Sequence, residues 1–130
     1  MDEAWIDEQK KKWGLAVDRS GDTWFFRMLA LGLIFELHIP AGLPHWFLIV
    51  RNESMKEVWE DWLDYSHHSG MSPAQIDEHK RKDIEEFLSL VSSAQSFRVV
   101  RRGWQFRKKG ELQLKGAWKG VWESLNEGRT

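Results

Sequence analysis

Along Trp13 to Met28, WGLAVDRSGDTWFFRM, apolar and polar positions mirror each other about a two-residue turn at Ser20-Gly21. Counting outward from that turn sets Arg19 opposite Asp22, Val17 opposite Trp24, Leu15 opposite Phe26 and Trp13 opposite Met28. Such a hairpin joins an ion pair to three apolar cross-strand pairs, and Gly21 supplies the positive φ that a tight turn requires. Leu33 to Ile39 and His45 to Arg51 are rich in β-formers and flank PAGLP, so a second hairpin is expected there. The apolar run between the hairpins hides its period, and Phe25 to Phe35 fits either a strand or a buried helix.

Helical spacing replaces alternation on both sides of this region. Asp2 to Lys12 reads as a short N-terminal helix, with Glu8 four residues before Lys12. Ser54 and Glu57 have the spacing of a capping box, and Met55, Val58, Trp59, Trp62 and Leu63 follow at intervals of three and four, which predicts a first long helix. Gly70 closes it in this reading. Ser72, Pro73 and Gln75 then start a second helix to about Ser92, whose apolar face is Ile84, Phe87, Leu88 and Val91.

Near the C-terminus a three-residue loop, Lys108-Lys109-Gly110, pairs Arg107 with Glu111, Phe106 with Leu112, Gln105 with Gln113 and Trp104 with Leu114. Ala117, Trp118, Val121, Trp122 and Leu125 return to helical spacing and predict a closing helix. The expected fold class is therefore α+β, one domain spanning 1–130: an antiparallel β-meander from about Trp13 to Arg51, a helical hairpin, a basic β-hairpin and a C-terminal helix.

Composition supports a folded chain of that size. A length of 130 residues, 42% apolar residues and nine tryptophans suit one core and exclude a disordered polymer. The absence of cysteine excludes disulfides and thiol nucleophiles, which fits a reducing, cytoplasmic setting. No apolar run approaches the ~20 residues of a membrane span, and the start MDEAWIDEQKKKW lacks the apolar core of a targeting signal.

The net charge of −1 conceals a division: Asn52 to Leu90 carries ten acids against four bases, whereas Phe97 to Gly120 carries eight bases against one acid. Those bases, Arg98, Arg101, Arg102, Arg107, Lys108, Lys109, Lys115 and Lys119, predict a surface that neutralises nucleic-acid phosphates. Lysines at a hairpin tip also suit an edge strand kept from self-pairing. Because Trp104 and Phe106 share a face with Leu112 and Leu114, they read as core and not as base-stacking platforms.

The rival partner is a protein. Glu53, Glu57, Glu60, Asp61 and Asp64 would line the outside of the first long helix, where they could meet a basic partner, and Trp5 or Trp46 would serve as an interface anchor. Small inhibitors encoded by mobile elements share this profile of compact fold and split charge. Glu36 and His38 fall on one strand face, with His45 across the PAGLP turn, a set of groups suited to zinc or proton transfer. His67, His68 and His79 match no established ligand spacing. Without a phosphate-binding loop, a dinucleotide fingerprint or a nucleophile elbow, the sequence predicts a binding protein with no cofactor and no enzymatic activity.

Overall fold

The computed structural model describes residues 2–66, 70–100, 111–114 and 119–120, the strand residues after Phe97 by backbone only. A helix, α1 (Glu3–Trp13), precedes an antiparallel meander of five strands: β1 (Ala16–Ser20), β2 (Thr23–Ala30), β3 (Leu33–Pro40), β4 (His45–Arg51) and β5 (Glu57–Asp64). A second helix, α2 (Pro73–Ser93), follows, then a three-stranded sheet of β6 (Phe97–Val100), β7 (Glu111–Leu114) and β8 (Lys119–Gly120). Sheet and helices together make this an α+β fold.

The first hairpin forms with its register displaced by two. Ser20 pairs with Thr23 and Val17 with Phe26, so the two-residue turn is Gly21-Asp22, with Gly21 at φ 59°. A displacement of two keeps every side chain on its expected face, so Leu15, Phe26 and Met28 still reach the core. The ambiguous run resolves into β2, a turn at Leu31-Gly32 and the start of β3. Both turn residues have positive φ, 57° and 71°, which matches the turn twist to that of the strands. The hairpin across PAGLP forms as expected, with Leu37 opposite Leu48 and His38 opposite Phe47.

The first long helix does not form; Glu57–Asp64 is instead the edge strand β5. Its residues satisfy two periods at once, and the unpaired edge of β4 rewards extension by pairing Trp46 with Leu63, Phe47 with Trp62 and Val50 with Trp59. Local chemistry also favours a turn at the expected helix start. Asn52 Oδ1 accepts from the amides of Ser54 and Lys56, each at 3.0 Å, so the capping chemistry belongs to Asn52 and not to Ser54. A register shift at Val50/Arg51 adds a bulge to this edge, which hinders edge-to-edge association.

Met55 in that turn sits at φ 61° and is 55% exposed, so its side chain carries left-handed strain without compensating burial. Met55→Gly is expected to raise unfolding free energy by about 1 kcal/mol. Urea unfolding checks it; an unchanged or lowered midpoint refutes it.

The core lies on one face of the five-stranded sheet, beneath both helices. Phe26, Phe35, Leu37, Ile39, Trp46, Leu48 and Val50 are completely buried there, against Ile84, Phe87 and Leu88 of α2. Phe87 meets Phe35 and Trp46 at ring-centroid distances of 6.1 and 5.9 Å. The helix α2 begins as expected, with Ser72 as N-cap and Gln75 completing the reciprocal capping box. The two helices are joined by polar contacts: Trp5 Nε1 and Gln9 Nε2 both donate to Glu85 Oε1, at 3.0 and 2.9 Å.

In the C-terminal sheet, β7 pairs on one side with β6, Leu112 opposite Val99 and Leu114 opposite Phe97, and on the other with β8. This corrects the expected hairpin register, since Glu111 lies opposite Val100 and not Arg107. FRVV matches ELQL in character at three of four positions, Val100 opposite Glu111 being the exception, and the nearer segment at all four, so local pattern favoured the pairing that the backbone does not adopt. Residues 104–107 lie outside the described residues. Lys119 and Gly120 pair as a strand where a closing helix was expected; the rest of that segment also lies outside the described residues.

Candidate functional site

Opposite the helices, the sheet presents a second face. Strand alternation puts Phe25 and Arg27 of β2, Glu36 and His38 of β3, His45, Phe47 and Ile49 of β4, and Glu60, Trp62 and Asp64 of β5 on it together. Cross-strand register then arranges them in rows. Phe25 lies opposite His38, His38 opposite Phe47 and Phe47 opposite Trp62, a row of four rings running perpendicular to the strands. Phe25 and His38 meet edge to face at 4.7 Å, and Phe47 stacks on Trp62 at 5.8 Å with 10° between the rings. His45 caps that stack, edge-on to Phe47 at 5.0 Å and to Trp62 at 5.7 Å. Although packed against each other, Phe47 and Trp62 remain 38% and 46% exposed.

A hollow of about 550 Å³ opens beside these rings, lined by His38, Phe47, Leu48, Ile49, Glu60, Asp61 and Trp62. A polar row runs alongside: Arg27 opposite Glu36, Glu36 opposite Ile49, and Ile49 opposite Glu60. Glu36 is only 6% exposed and is held by three bases. His38 Nε2 donates to its Oε1 at 2.5 Å, while Arg27 Nε and Arg51 Nε approach its Oε2 at 3.5 and 3.6 Å. Burial pushes the Glu36 carboxyl up, but the His38 hydrogen bond and the charges of His38, Arg27 and Arg51 outweigh it and leave the group below the usual carboxylate range. Glu36 therefore stays ionised, and it fixes the His38 ring within the aromatic row.

The expected grouping of Glu36, His38 and His45 on one face is thus present, but its partners are rings and guanidinium groups. Among the described residues no cluster of three or more acids and histidines has the geometry to hold a metal ion. No described helix is long and apolar enough to cross a membrane.

The other candidates are placed differently from expectation. Trp46 is fully buried, and its indole donates to Tyr65 Oη at 3.2 Å; Trp5 is 7% exposed. Neither presents an anchor at the surface. The five acids do not share a helix face: Glu53 is in the turn before β5, Glu57 lies opposite Arg51, and alternation separates Asp61 from Glu60 and Asp64. Of the bases, Arg98 lies opposite Gln113 and Lys119 opposite Leu114, while Arg101, Arg102, Arg107, Lys108, Lys109 and Lys115 lie outside the described residues. His67 and His68 also lie outside them, and His79 is exposed on α2.

Sequence reasoning missed the row itself. Each ring belongs to a different strand, so only turn lengths and register bring the four together. Comparisons with protein-family models, with curated proteins and with solved structures find no match to this chain.

Proposed function

We propose that this domain is a non-enzymatic binding module that docks a basic segment of a partner protein on the outer face of its five-stranded sheet. The observation that carries this reading is the stacked, exposed pair Phe47 and Trp62 on a face that neither helix covers. Ring faces bear negative quadrupole charge and attract lysine and arginine, most strongly where water is excluded. Glu60 and Asp64 stand beside Trp62 on the same face of β5, and Glu60 borders the adjoining hollow, so the acids at this edge are complementary in sign to a basic partner. A regulator or inhibitor that acts by occupying a partner's basic surface fits such a face.

A displayed random-peptide library, panned on the protein and counter-selected on Trp62→Ala, tests the reading. Selected sequences should be enriched in arginine and lysine, and their affinity for Trp62→Ala should be lower by about tenfold or more. Selection of neutral or acidic sequences that ignore Trp62 would refute the assignment. Binding of an oligonucleotide that falls steeply with salt and is lost in Arg107→Ala, Lys108→Ala and Lys109→Ala, with no basic peptide selected, would replace it with contact to a nucleic-acid backbone.

A further inference from the structure

We infer that the hollow beside Phe47 and Trp62 binds a small, flat, largely apolar phenol whose hydroxyl donates to Nδ1 of His38. Such a ligand is independent of the docked peptide proposed above. An ionised carboxylate can only accept, so the neutral His38 ring keeps its proton on Nε2 and donates it to Glu36 Oε1. Glu36 is held in its charged form from the other side, where the guanidinium groups of Arg27 and Arg51 approach Oε2 at 3.5 and 3.6 Å. Nδ1 of His38 is left with a lone pair, and no described residue donates to it. A buried ion network thus presets the tautomer of a ring that lines the hollow.

The rest of the lining sets the other properties of the ligand. Phe47, Ile49 and Trp62 supply apolar surface, while Glu60 and Asp61 already have partners, the Asp61 carboxylate accepting from the Trp62 amide at 2.8 Å. A donor carried into the hollow therefore gains most at His38 Nδ1, and a molecule without one leaves that nitrogen unpaired as water is displaced. Carboxylates and phosphates are disfavoured, because Nδ1 of the neutral ring offers them no proton. The volume of about 550 Å³ lies within the range of small-molecule sites and leaves room for more than a single ring. Phe47 and Trp62 need not part to receive it. His45 already packs edge-on to both, at 5.0 and 5.7 Å, so the stacked pair takes aromatic neighbours in tilted geometry.

Titration of the isotope-labelled protein at pH 8, followed by magnetic resonance, tests this with a matched pair: 2-naphthol, whose hydroxyl donates, and 2-methoxynaphthalene, which can only accept. The naphthol should shift the resonances of His38, Phe47, Ile49 and Trp62 and bind about tenfold more tightly than the ether. The imidazole nitrogen resonances should place the His38 proton on Nε2 alone. In Glu36→Gln the amide oxygen is drawn to Arg27 and Arg51, which turns the amide nitrogen toward His38. The ring proton should then move to Nδ1, and the preference for the naphthol should disappear. His38→Phe keeps a ring, removes the nitrogen and leaves Glu36 with both arginines; it should lose the preference too, and it decides the matter if Glu36→Gln fails to fold. Equal affinities in the unsubstituted protein, binding of neither compound, or a proton on His38 Nδ1 overturns the inference. So does a naphthol preference that persists in Glu36→Gln or His38→Phe. Selection of Trp62-dependent basic peptides is measured separately, so either proposal can fail alone.

Discussion

Trp46→Ala is expected to lower unfolding free energy by about 4 kcal/mol, a large share of what holds a domain of this size together. Trp46 is fully buried, packs edge-on to Phe87 at 5.9 Å and donates its indole N–H to Tyr65 Oη. Truncation removes the apolar burial, leaves a cavity between sheet and α2, and deprives the buried Tyr65 hydroxyl of a donor. That hydroxyl in turn donates to Asp83 Oδ2, so the loss spreads along a polar chain connecting β4, the end of β5 and α2. Trp62→Ala, by contrast, removes a side chain that is 46% exposed and should change stability by less than about 1 kcal/mol.

Urea unfolding of the two variants gives the comparison. If Trp46→Ala proves too unstable to purify, Trp46→Phe retains most of the ring and should still cost about 1–2 kcal/mol through the lost hydrogen bond and reduced packing. Similar small effects for Trp46→Ala and Trp62→Ala would contradict the assignment of one to the core and the other to the surface.

Lys80 carries the second large effect, through pH. It is 1% exposed, and its ammonium donates to the carbonyls of Pro40 and Leu43, both at 2.8 Å, which secures the loop between β3 and β4 to α2. Burial pulls its pKa down to about 8 against the upward influence of Asp77. Because the folded pKa lies below the ordinary value of 10.5, the unfolded chain binds the proton more tightly between pH 8 and 10.5. The charged form burdens the fold below pH 8, and stability rises as pH climbs from 8 toward 10.5. The neutral amine still supplies N–H groups to both carbonyls.

With allowance for partial solvent screening, the gain attributable to Lys80 is about 2 kcal/mol. Unfolding free energies of the protein and of Lys80→Met at pH 7, 8, 9 and 10 measure it, since the variant lacks the titrating group but keeps the apolar stem. The difference between the two should move in favour of the unsubstituted protein above pH 8. A difference that stays constant across the series would show that Lys80 titrates at its ordinary value. Should Lys80→Met fail to fold, Lys80→Gln serves as the non-titrating comparison.

Where chemistry is local, the chain is legible in one dimension. The start of α2 follows from Ser72, Pro73 and Gln75, whose side chain, ring and amide act within one turn. The helix α1 is expected from the Glu8–Lys12 spacing, and its cap, Asp2, whose carboxylate accepts from the Trp5 amide at 2.8 Å, is an equally local signal absent from that expectation. The hairpin around PAGLP is equally direct, because two prolines and a glycine leave the chain little choice but to reverse. At β5 legibility ends. Val58, Trp59, Trp62 and Leu63 fit a helix and a strand equally, and the tie is broken by the open edge of β4, which lies elsewhere in the chain until the meander forms.

Tryptophan exposure is another case. Trp46 and Trp62 look alike as residues, and their fates differ because Trp46 falls on the same strand parity as Leu48 and Val50, while Trp62 lies opposite Phe47 on the other face.

By itself, then, the sequence determined that this chain mixes helix and antiparallel sheet, where two helices start, which segments pair around the PAGLP turn, and that Glu36 and His38 share a face. Only the tertiary structure decided that β5 is a strand, that Trp46 is interior, and that Phe25, His38, Phe47 and Trp62 form one row. The physical reason is range: caps and turns are settled by groups a few residues apart, whereas strand pairing, and with it every row across a sheet, is settled by long-range contacts whose register no single segment contains.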